Sequence, residues 1–400
     1  MDLDAATAWL AGHVNLERDV APRAAARRLD RVRQLVGLLG DPQEAYPVIH
    51  LTGTNGKGST ARMVTSLLVA RGLSVGTYTS PHLQRLNERT AWNGTPIDDD
   101  ALAEALLTVA GLEDLLDSPP TYFEIVTAAA FKWFADIVVD VAVVEVGLGG
   151  RWDATNVADA DVALVTNISL DHAETIGPTR ADIAREKAGI VKPGSLLVLG
   201  ETDPDLAEIF AEAPAGEITL RDRDFGVSSN ALAIGGRVVD LYTPRASYPG
   251  LFVPAHGAYQ GDNAAAAVAA CEAFFGAAVP AGLVEEGLRA VKLPGRLEIV
   301  GREPLIVLDG AHNPAGAAAA AAAVNEAFGA VEGRVLVVGM VGGRDPVEML
   351  EAMNARAARL VITCPPPSPR AVPAVEVAAA AASLGCDVRV GETVEHAVET

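Results

Sequence analysis

Short apolar runs alternate with segments of helical length along most of this chain. Runs of strand length cover residues 75–78, 141–146, 162–168 and 196–199, and helix-length segments such as 122–135 and 179–188 separate several of them. Continuous apolar strands are typical of a parallel sheet that is covered on both faces. The pattern therefore predicts an α/β fold.

Two changes of pattern divide the chain. Residues 218–255 show short alternating stretches around Gly235-Gly236, which predict an antiparallel insertion. A second α/β alternation follows Leu293-Pro294-Gly295, a candidate linker. Its predicted strands are 305–308, 335–339 and 360–363, with helices after Pro314, over 346–358 and after Pro373. We therefore expect a mostly parallel sheet domain over residues 1–293 and a smaller Rossmann-like α/β domain over residues 296–400.

A glycine-rich stretch carries the strongest chemical signal. Residues 53–60 are Gly-Thr-Asn-Gly-Lys-Gly-Ser-Thr, between an apolar run at 48–51 and a helix-like segment at 60–70. Glycines let backbone N–H groups converge on a phosphate at a helix N-terminus, where Lys57 can reach the β- and γ-phosphates. Ser59 or Thr60 can ligate Mg²⁺. Gly58 separates Lys57 from these hydroxyls, unlike the common P-loop, and the alternative is a turn with a surface lysine.

Two further polar residues follow predicted strands. Glu145 lies near the carboxyl end of the apolar run 141–146, and His172 follows the run 162–168. Ligands of open parallel sheets bind at the carboxyl ends of strands, where the glycine-rich loop also lies. The pattern predicts a Mg²⁺-nucleotide site. A salt bridge remains the alternative for Glu145, and a helix cap or buried hydrogen bond remains the alternative for His172, since histidine is a poor Mg²⁺ ligand.

Composition excludes several classes of function. The formal net charge is −21, with 52 acidic against 31 basic residues, which disfavours binding to nucleic acid and to anionic membranes. No apolar run approaches the roughly 18 residues of a membrane span. The three cysteines lie far apart in sequence, as expected in a reducing compartment. We expect a cytoplasmic monomer that acts on small molecules.

Five motifs together resemble the folylpolyglutamate synthase/dihydrofolate synthase family of the Mur ligase superfamily. They are residues 53–60, 80–83 (Ser-Pro-His-Leu), 145–156, 186–190 (Glu-Lys-Ala-Gly-Ile) and 309–314 (Asp-Gly-Ala-His-Asn-Pro). The resemblance implies an ATP-dependent ligase. It would add L-glutamate to dihydropteroate, to (tetrahydro)folate polyglutamate or to both, through an acyl phosphate. Another Mur-type amide ligase acting on a different acid, or a non-catalytic ATP-binding protein, remains the alternative.

The resemblance also implies roles for individual residues. Those implied to bind ATP are Thr54, Asn55, Gly56, Lys57, Gly58, Ser59, Thr60, Asn263, Arg296 and Asp309. Those implied to surround two Mg²⁺ ions are Ser59, Ser80, Glu145, His172 and Lys187, the last as a carbamate. The catalytic residues would be Lys57, Lys187, Arg296 and His312. An ordinary surface lysine is the alternative for Lys187.

Three segments align with the dihydropteroate site of bifunctional family members. Their residues are Val14, Asn15, Leu16, Thr121, Tyr122, Phe123, Glu124, Trp152, Asp153 and Ala154. Phe123 and Trp152 could instead be core aromatics. Two departures from the family stand out: Tyr259 replaces a frequent histidine, and the chain reaches Thr400 without the final strand that is common in the family. We therefore expect the second domain to lack its last strand.

Overall fold

The computed structural model describes residues 2–15, 17, 28–172, 174–329 and 333–400. Their Cα positions divide into two compact units. The first unit comprises Met1–Leu16, Val20–Pro254 and Gln260–Leu293; the second comprises Glu17–Asp19, Ala255–Tyr259 and Pro294–Thr400. Both have α/β architecture, as the alternation of apolar runs predicted.

An eight-stranded sheet dominates the described part of the first unit. Its strands are β1 (Val48–Thr52), β2 (Val75–Tyr78), β3 (Thr90–Trp92), β4 (Thr95–Pro96), β5 (Val141–Glu145), β6 (Val162–Val165), β7 (Leu196–Leu199) and β8 (Glu217–Leu220). The spatial order is β4-β3-β2-β5-β1-β6-β7-β8, and all neighbours from β2 to β8 pair in parallel. β1, β2, β5 and β6 are buried along their whole length, which explains why few of their residues are polar.

Helices surround this sheet. They are α1 (Leu3–Ala11), α2 (Asp30–Leu38), α3 (Lys57–Ala70), α4 (Asp99–Ala110), α5 (Tyr122–Asp136), α6 (Arg180–Lys187), α7 (Pro204–Ala211), α8 (Tyr259–Phe275) and α9 (Ala281–Ala290). Thr121 and Thr179 begin α5 and α6 with capping boxes, which satisfy otherwise unpaired N–H groups of the first turn. Among the described residues, no helix is both long and apolar enough to cross a membrane.

The predicted antiparallel insertion is correct over most of its length. β9 (Gly226–Ala233), β10 (Gly236–Tyr242) and β11 (Ser247–Val253) form a three-stranded antiparallel sheet, with Gly235 at positive φ in the turn. The prediction was wrong at its start, because β8 pairs in parallel with β7 and belongs to the large sheet. The sequence of β8, Glu-Ile-Thr-Leu, alternates because it is an edge strand that is only partly buried.

The second unit has a three-stranded parallel sheet in its described residues. β14 (Val335–Val338), β15 (Leu360–Thr363) and β16 (Val388–Val390) form it, with the helices α10 (Pro314–Phe328), α11 (Pro346–Ala352), α12 (Ala374–Ser383) and α13 (Val394–Glu399). The predicted strand 305–308 exists as β13 (Leu305–Leu308), but it pairs antiparallel with β12 (Glu298–Arg302) instead of joining the parallel sheet. The predicted helix over 346–358 ends at Ala352, and a short 3₁₀ turn follows.

Two boundary corrections matter for function. α3 begins at Lys57, three residues before the predicted start, so Lys57, Gly58 and Ser59 form its first turn. β6 ends at Val165 instead of Ile168, and the chain beyond it bonds to the glycine-rich loop. Polar side chains there add to the backbone hydrogen bonds, and the pattern of apolar residues does not reveal such contacts.

The packing of α3 against α9 yields a stability prediction. A Cβ on Gly287 would lie 2.9 Å from Leu67 Cα and 3.1 Å from Leu67 N, whereas a Cβ on Gly282 in the same helix meets nothing within 4 Å. Gly287→Ala should therefore force the helices apart and lower the free energy of unfolding by about 1–3 kcal/mol. Gly282→Ala, the control, should be neutral or stabilising by up to about 1 kcal/mol. Urea denaturation measures both; equal midpoints for the two variants would contradict the close approach.

Candidate active site

The glycine-rich loop follows β1 directly and has a conformation that requires glycine. Gly53 and Gly56 have φ values of 148° and 86°, in the region that disfavours other residues. A Cβ on Gly53 would lie 1.8 Å from Thr166 Oγ1. Because α3 starts at Lys57, the N–H groups of its first turn face the loop, which is the arrangement that binds phosphate.

Residues beyond β6 hold this loop by hydrogen bonds. Thr54 N–H donates to Asn167 O (2.8 Å), and Asn55 N–H donates to Asn167 Oδ1 (3.1 Å). Asn55 O accepts from Thr166 Oγ1 (2.6 Å) and from Asn167 Nδ2 (2.9 Å). Ser169 N–H donates to Thr54 Oγ1 (3.0 Å), which donates in turn to Ser169 O (3.1 Å). The loop is thus paired almost like a strand.

Two lysines converge on one carbonyl of the loop. Lys57 Nζ donates to Gly53 O (3.0 Å) and to Thr54 O (3.2 Å), and Lys187 Nζ donates to Gly53 O (2.7 Å). Lys187 ends α6 and is buried. Burial, with the nearby charge of Lys57, holds the pKa of Lys187 well below its usual value, although the carboxylates of Asp171 and Asp153 oppose this. The structure thus places Lys187 in the interior beside the loop.

Glu145 brings a buried carboxylate to the same edge of the sheet. It is the last residue of β5, and its Oε2 accepts from Ser80 N–H (3.0 Å), just beyond β2. A Cβ on Gly58 would lie 3.4 Å from Glu145 Oε2, so the carboxylate faces the first turn of α3. Ser59 and Thr60 are buried in that turn. Gly58, which separates Lys57 from the hydroxyls, therefore lies directly beside this carboxylate.

His172 lies in the segment that leaves β6. Its backbone N–H donates to Asp171 Oδ1 (2.9 Å), its ring Nε2 lies 3.7 Å from Asp171 Oδ2, and its φ is 50°. Asp171 is a carboxylate that the sequence analysis did not select. Its charge acts on Lys187, which places it near the loop. Asp171 could have been selected from the sequence, because it lies between the end of the predicted strand 162–168 and His172.

The oxygen-bearing side chains at this edge of the sheet are compatible with magnesium binding. Among the described residues, no three His, Cys, Asp or Glu side chains gather into a ready-made metal cage. Mg²⁺ seldom needs one, since it is usually held by one or two carboxylates, water and substrate phosphates. Glu145 is a buried carboxylate that faces a phosphate-type loop, and it adjoins Gly58, the residue before Ser59, and the backbone N–H of Ser80. These residues offer hard oxygen ligands, which fits that preference.

The segments selected for a pterin substrate come together in part. Tyr122 N–H donates to Val14 O (3.0 Å), which joins the 14–15 segment to the start of α5. Phe123 packs on the loop after β5, because a Cβ on Gly147 would lie 2.5 Å from its Cζ. Its ring centroid lies 6.0 Å from that of Tyr78. Asn15 follows Val14, while Leu16 falls outside the described residues.

Other residues of that group have internal partners. Thr121 and Glu124 form the capping box of α5, and Glu124 also pairs with Arg31 (3.1 Å). Asp153 is buried, with Oδ2 accepting from Leu148 N–H (2.8 Å) and Oδ1 from Thr155 N–H (3.0 Å). Burial raises the pKa of Asp153. These three side chains therefore order the segments that carry them.

Trp152 and Ala154, two further residues selected for the pterin substrate, follow Gly150 in the loop after β5. Trp152 is half-exposed, and its backbone N–H donates to Glu186 Oε1 (3.2 Å), beside Lys187. Ala154 is buried in the core at the start of a short 3₁₀ turn. Trp152 is therefore accessible, in contrast to the interpretation of a buried core aromatic, and Ala154 is a packing position.

Asn263 of α8 lies against the glycine-rich loop. A Cβ on Gly56 would lie 2.6 Å from Asn263 Oδ1, so only glycine permits this approach. Asn263 Nδ2 donates to Gln260 Oε1 (2.9 Å), and both side chains are buried. The structure thus brings one of the residues selected for ATP to the loop itself.

The selected residues of the second unit form a group of their own. Asp309 accepts from Leu297 N–H (2.9 Å) and from Ala311 N–H (2.8 Å), and burial raises its pKa although nearby Arg296 opposes this. Arg296 Nη1 donates to Gly295 O (3.2 Å) and would lie 2.5 Å from a Cβ on Gly310. His312 is exposed, with Nδ1 2.9 Å from Gly310 O, just before the Asn313 cap of α10.

Comparisons with known proteins match both parts of the chain. Residues 51–271 match the Mur ligase middle domain, and residues 295–400 match the Mur ligase glutamate ligase domain. A dihydrofolate synthase/folylpolyglutamate synthase of Mycobacterium tuberculosis is 39% identical over 399 residues, which cover 93% of this chain and 81% of that one.

Solved structures agree with these matches. Mycobacterium tuberculosis folylpolyglutamate synthase complexed with ADP and AMPPCP has a TM-score of 0.89 at 40% identity, covering 93% of this chain and 87% of that chain. A folylpolyglutamate synthase complex with AMPPCP and folate has a TM-score of 0.84 at 31% identity, covering 100% of this chain and 98% of that chain.

Lys57 provides a direct test of the loop. Lys57→Ala removes the cation that the phosphate-loop assignment places at the phosphates, and the rate of phosphate release from ATP should fall roughly 10²–10³-fold. Lys132→Ala, which loses only a surface ion pair with Asp136 on α5, is the control and should keep the wild-type rate. Circular dichroism should show that both variants are folded. A folded Lys57→Ala protein with near-normal turnover would rule out the phosphate-loop assignment.

Proposed function

The chain belongs to the folylpolyglutamate synthase/dihydrofolate synthase family of the Mur ligases, and we propose that it adds L-glutamate to dihydropteroate, to (tetrahydro)folate polyglutamates or to both, using ATP. One observation carries the proposal most directly. A strand, a glycine-rich loop and the first turn of α3 present Lys57, with the buried Glu145 and Lys187 beside them. This arrangement suits phosphoryl transfer to a carboxylate.

The chemistry requires activation of the acid. A carboxylate does not react with an amine at neutral pH, because its oxygen is a poor leaving group. Transfer of the γ-phosphoryl group makes an acyl phosphate; the amine of L-glutamate then attacks the acyl carbon, loses a proton, and expels phosphate to leave an amide. Lys57 and the N–H groups of the first turn of α3 hold the phosphates and offset their charge, so positioning and electrostatics supply most of the catalysis.

We assign two Mg²⁺ ions to the edge of the sheet. Ser59, Ser80, Glu145, His172 and carbamylated Lys187 would hold them. When bound, Mg²⁺ neutralises phosphate charge. Glu145 is the best supported of these ligands, because its buried carboxylate faces the first turn of α3. Asn263, Arg296 and Asp309 would contact ATP, and His312 and Arg296 would act on its phosphates.

Carbamylation of Lys187 has a physical basis in its environment. Only the neutral amine attacks CO₂, and burial lowers the pKa of Lys187, which raises the neutral fraction. The ammonium group first loses one proton to give the neutral amine, and a second proton leaves the nitrogen as the new N–C bond forms. Two protons are thus released, and a cation becomes an anion. A buried anion beside the loop would attract Mg²⁺, whereas an ammonium group would repel it.

The pterin would bind next to the 14–15 segment, the start of α5 and the loop after β5. Val14, Asn15, Leu16, Tyr122, Phe123 and Trp152 are the proposed contacts. Thr121, Glu124, Asp153 and Ala154 would act by ordering these segments, since their side chains are occupied or buried. Residues 1–293 would form the ATP-binding domain and residues 296–400 the glutamate-ligase domain of a cytoplasmic monomer.

The activity itself is tested by one assay with two acceptors. We expect ATP hydrolysis that depends on both L-glutamate and the acceptor, with dihydropteroate and tetrahydrofolate supplied separately. Mass spectrometry of the products should show addition of one or more glutamate residues. D-glutamate is the matched control and should give no product. Phosphate release that neither acceptor stimulates would contradict the proposal and favour a different acid as substrate.

Lys187 provides a test of the carbamate. Lys187→Ala should lose at least roughly 10–100-fold in activity, because loss of an outer-shell partner of a metal site already has an effect of that size and Lys187 would be a ligand itself. Bicarbonate or formate should restore part of this loss, because a small anion can occupy the vacated space. Lys192→Ala is the control, since Lys192 bonds to Asn156 O (3.1 Å) and should show no such rescue.

A second measurement makes the carbamate test independent of turnover. ¹³CO₂ should give a carbamate signal in the NMR spectrum of the wild type that is missing from Lys187→Ala. A wild type without this signal, together with a Lys187→Ala variant that keeps the full rate, would remove Lys187 from the metal site.

A further inference from the structure

The segment 166–169 continues β6 and has different partners on its two edges. One edge bonds to Thr54 and Asn55 of the glycine-rich loop, as described above. On the other edge, Gly200 N–H donates to Val165 O (2.7 Å), where β7 has just ended. The backbone groups of Ile168, farther along this edge, therefore need partners other than the strand β7.

A glutamate and an arginine supply those partners. Ile168 N–H donates to Glu201 Oε2 (2.7 Å), and Arg180 Nε donates to Ile168 O (3.1 Å). Arg180 Nη2 also lies 3.4 Å from Glu201 Oε1, so the two side chains form an ion pair. Ile168 and Glu201 are buried, and Arg180 is half-buried. Together, Arg180 and Glu201 bond the segment as a neighbouring strand would.

Arg180 also connects this edge to two helices. It is the first residue of α6, the helix that ends at Lys187, and its Nη1 donates to Asp203 Oδ2 (2.8 Å). Asp203 caps α7 through Oδ1, which accepts from Asp205 N–H (3.1 Å). One guanidinium group therefore fixes the segment behind the glycine-rich loop together with the starts of α6 and α7.

We propose that Arg180 and Glu201 are positioning residues for the nucleotide site, an inference that rests on the proposed function. Their hydrogen bonds are to Ile168, to each other and to residues 202–203, and not to the glycine-rich loop. Arg180 and Glu201 hold Ile168 by its backbone groups. The two residues before Ile168 bond to Thr54 and Asn55 of the loop, and His172 follows Ile168 by four residues. Displacement of Ile168 would move the loop and the histidine together, and a loop displaced by even a fraction of an ångström binds phosphate less well.

A purely stabilising ion pair makes a different prediction from a positioning pair. Loss of a stabilising pair would lower the unfolding temperature and leave the affinity of the folded protein for ATP unchanged. Loss of a positioning pair would weaken ATP binding in protein that remains folded, and would increase hydrogen exchange in the segment 166–172. The two interpretations are therefore separated by ATP affinity and by exchange, not by stability.

The variants follow from the contacts. Glu201→Ala removes the acceptor for Ile168 N–H, and Glu201→Gln keeps an oxygen there while losing the charge. Arg180→Lys keeps a charge near Glu201 but loses the planar group that reaches Ile168 O and two carboxylates at once. Arg185→Gln is the matched control, because Arg185 lies on the same helix and pairs only at the surface with Asp182 (3.4 Å).

We expect Glu201→Ala to weaken ATP binding about tenfold. This is the lower end of the loss in affinity or activity that follows mutation of residues supporting the ligands of a metal site. Isothermal titration calorimetry measures this affinity, and mass spectrometry measures exchange in the 166–172 peptide, which should rise in Glu201→Ala. Glu201→Gln should recover part of the affinity, and Arg185→Gln should match the wild type. The KM for the pterin acceptor should not change in any variant.

Two results would overturn the inference. The first is a folded Glu201→Ala protein whose ATP affinity and exchange both equal those of the wild type. The second, which decides the matter if Glu201→Ala does not fold, is an Arg180→Lys protein with wild-type affinity and exchange. A wild type that binds ATP but glutamylates neither pterin contradicts the proposed function alone, because the binding and exchange measurements do not depend on the acceptor.

Discussion

The parallel pairing of β1 with β5 on one side and β6 on the other is the constraint on which the site depends. Parallel neighbours end at the same edge of a sheet, so the glycine-rich loop, Glu145 and the segment that leads to His172 come together, although over a hundred residues separate the loop from His172. Antiparallel pairing at either position would send one of these groups to the opposite edge. The buried apolar strands therefore determine where the polar chemistry lies.

Much of this arrangement could be predicted from sequence, and particular residues show why. The strands 75–78 and 196–199 have the predicted bounds, because buried parallel strands are mostly apolar and lie between turn residues. Glu145 was recognisable as a carboxylate in an apolar strand, and Lys57 as the lysine of a glycine-rich turn. These signals are local, so neither needed knowledge of which strands are neighbours.

The parts that could not be predicted depend on contacts between distant residues. β13 has a strand-like sequence, but nothing in Leu-Ile-Val-Leu distinguishes an antiparallel hairpin with β12 from a place in the parallel sheet. Asp153 was selected as a substrate residue, yet its carboxylate accepts hydrogen bonds from the loop that contains it. Asn167 could not be recognised as a site residue from sequence, because its role is to hydrogen-bond to Asn55, which is distant in the chain.

The strand-like pairing of Thr54 and Asn55 with the segment beyond β6 has a thermodynamic consequence. A flexible phosphate-binding loop would lose conformational entropy each time it ordered around a nucleotide, and that loss would subtract from affinity. Here the loop is ordered during folding, because its backbone groups already have partners and Gly53 fits against Thr166 in one conformation. The entropy is therefore lost once, when the chain folds, and is not lost again in each catalytic cycle.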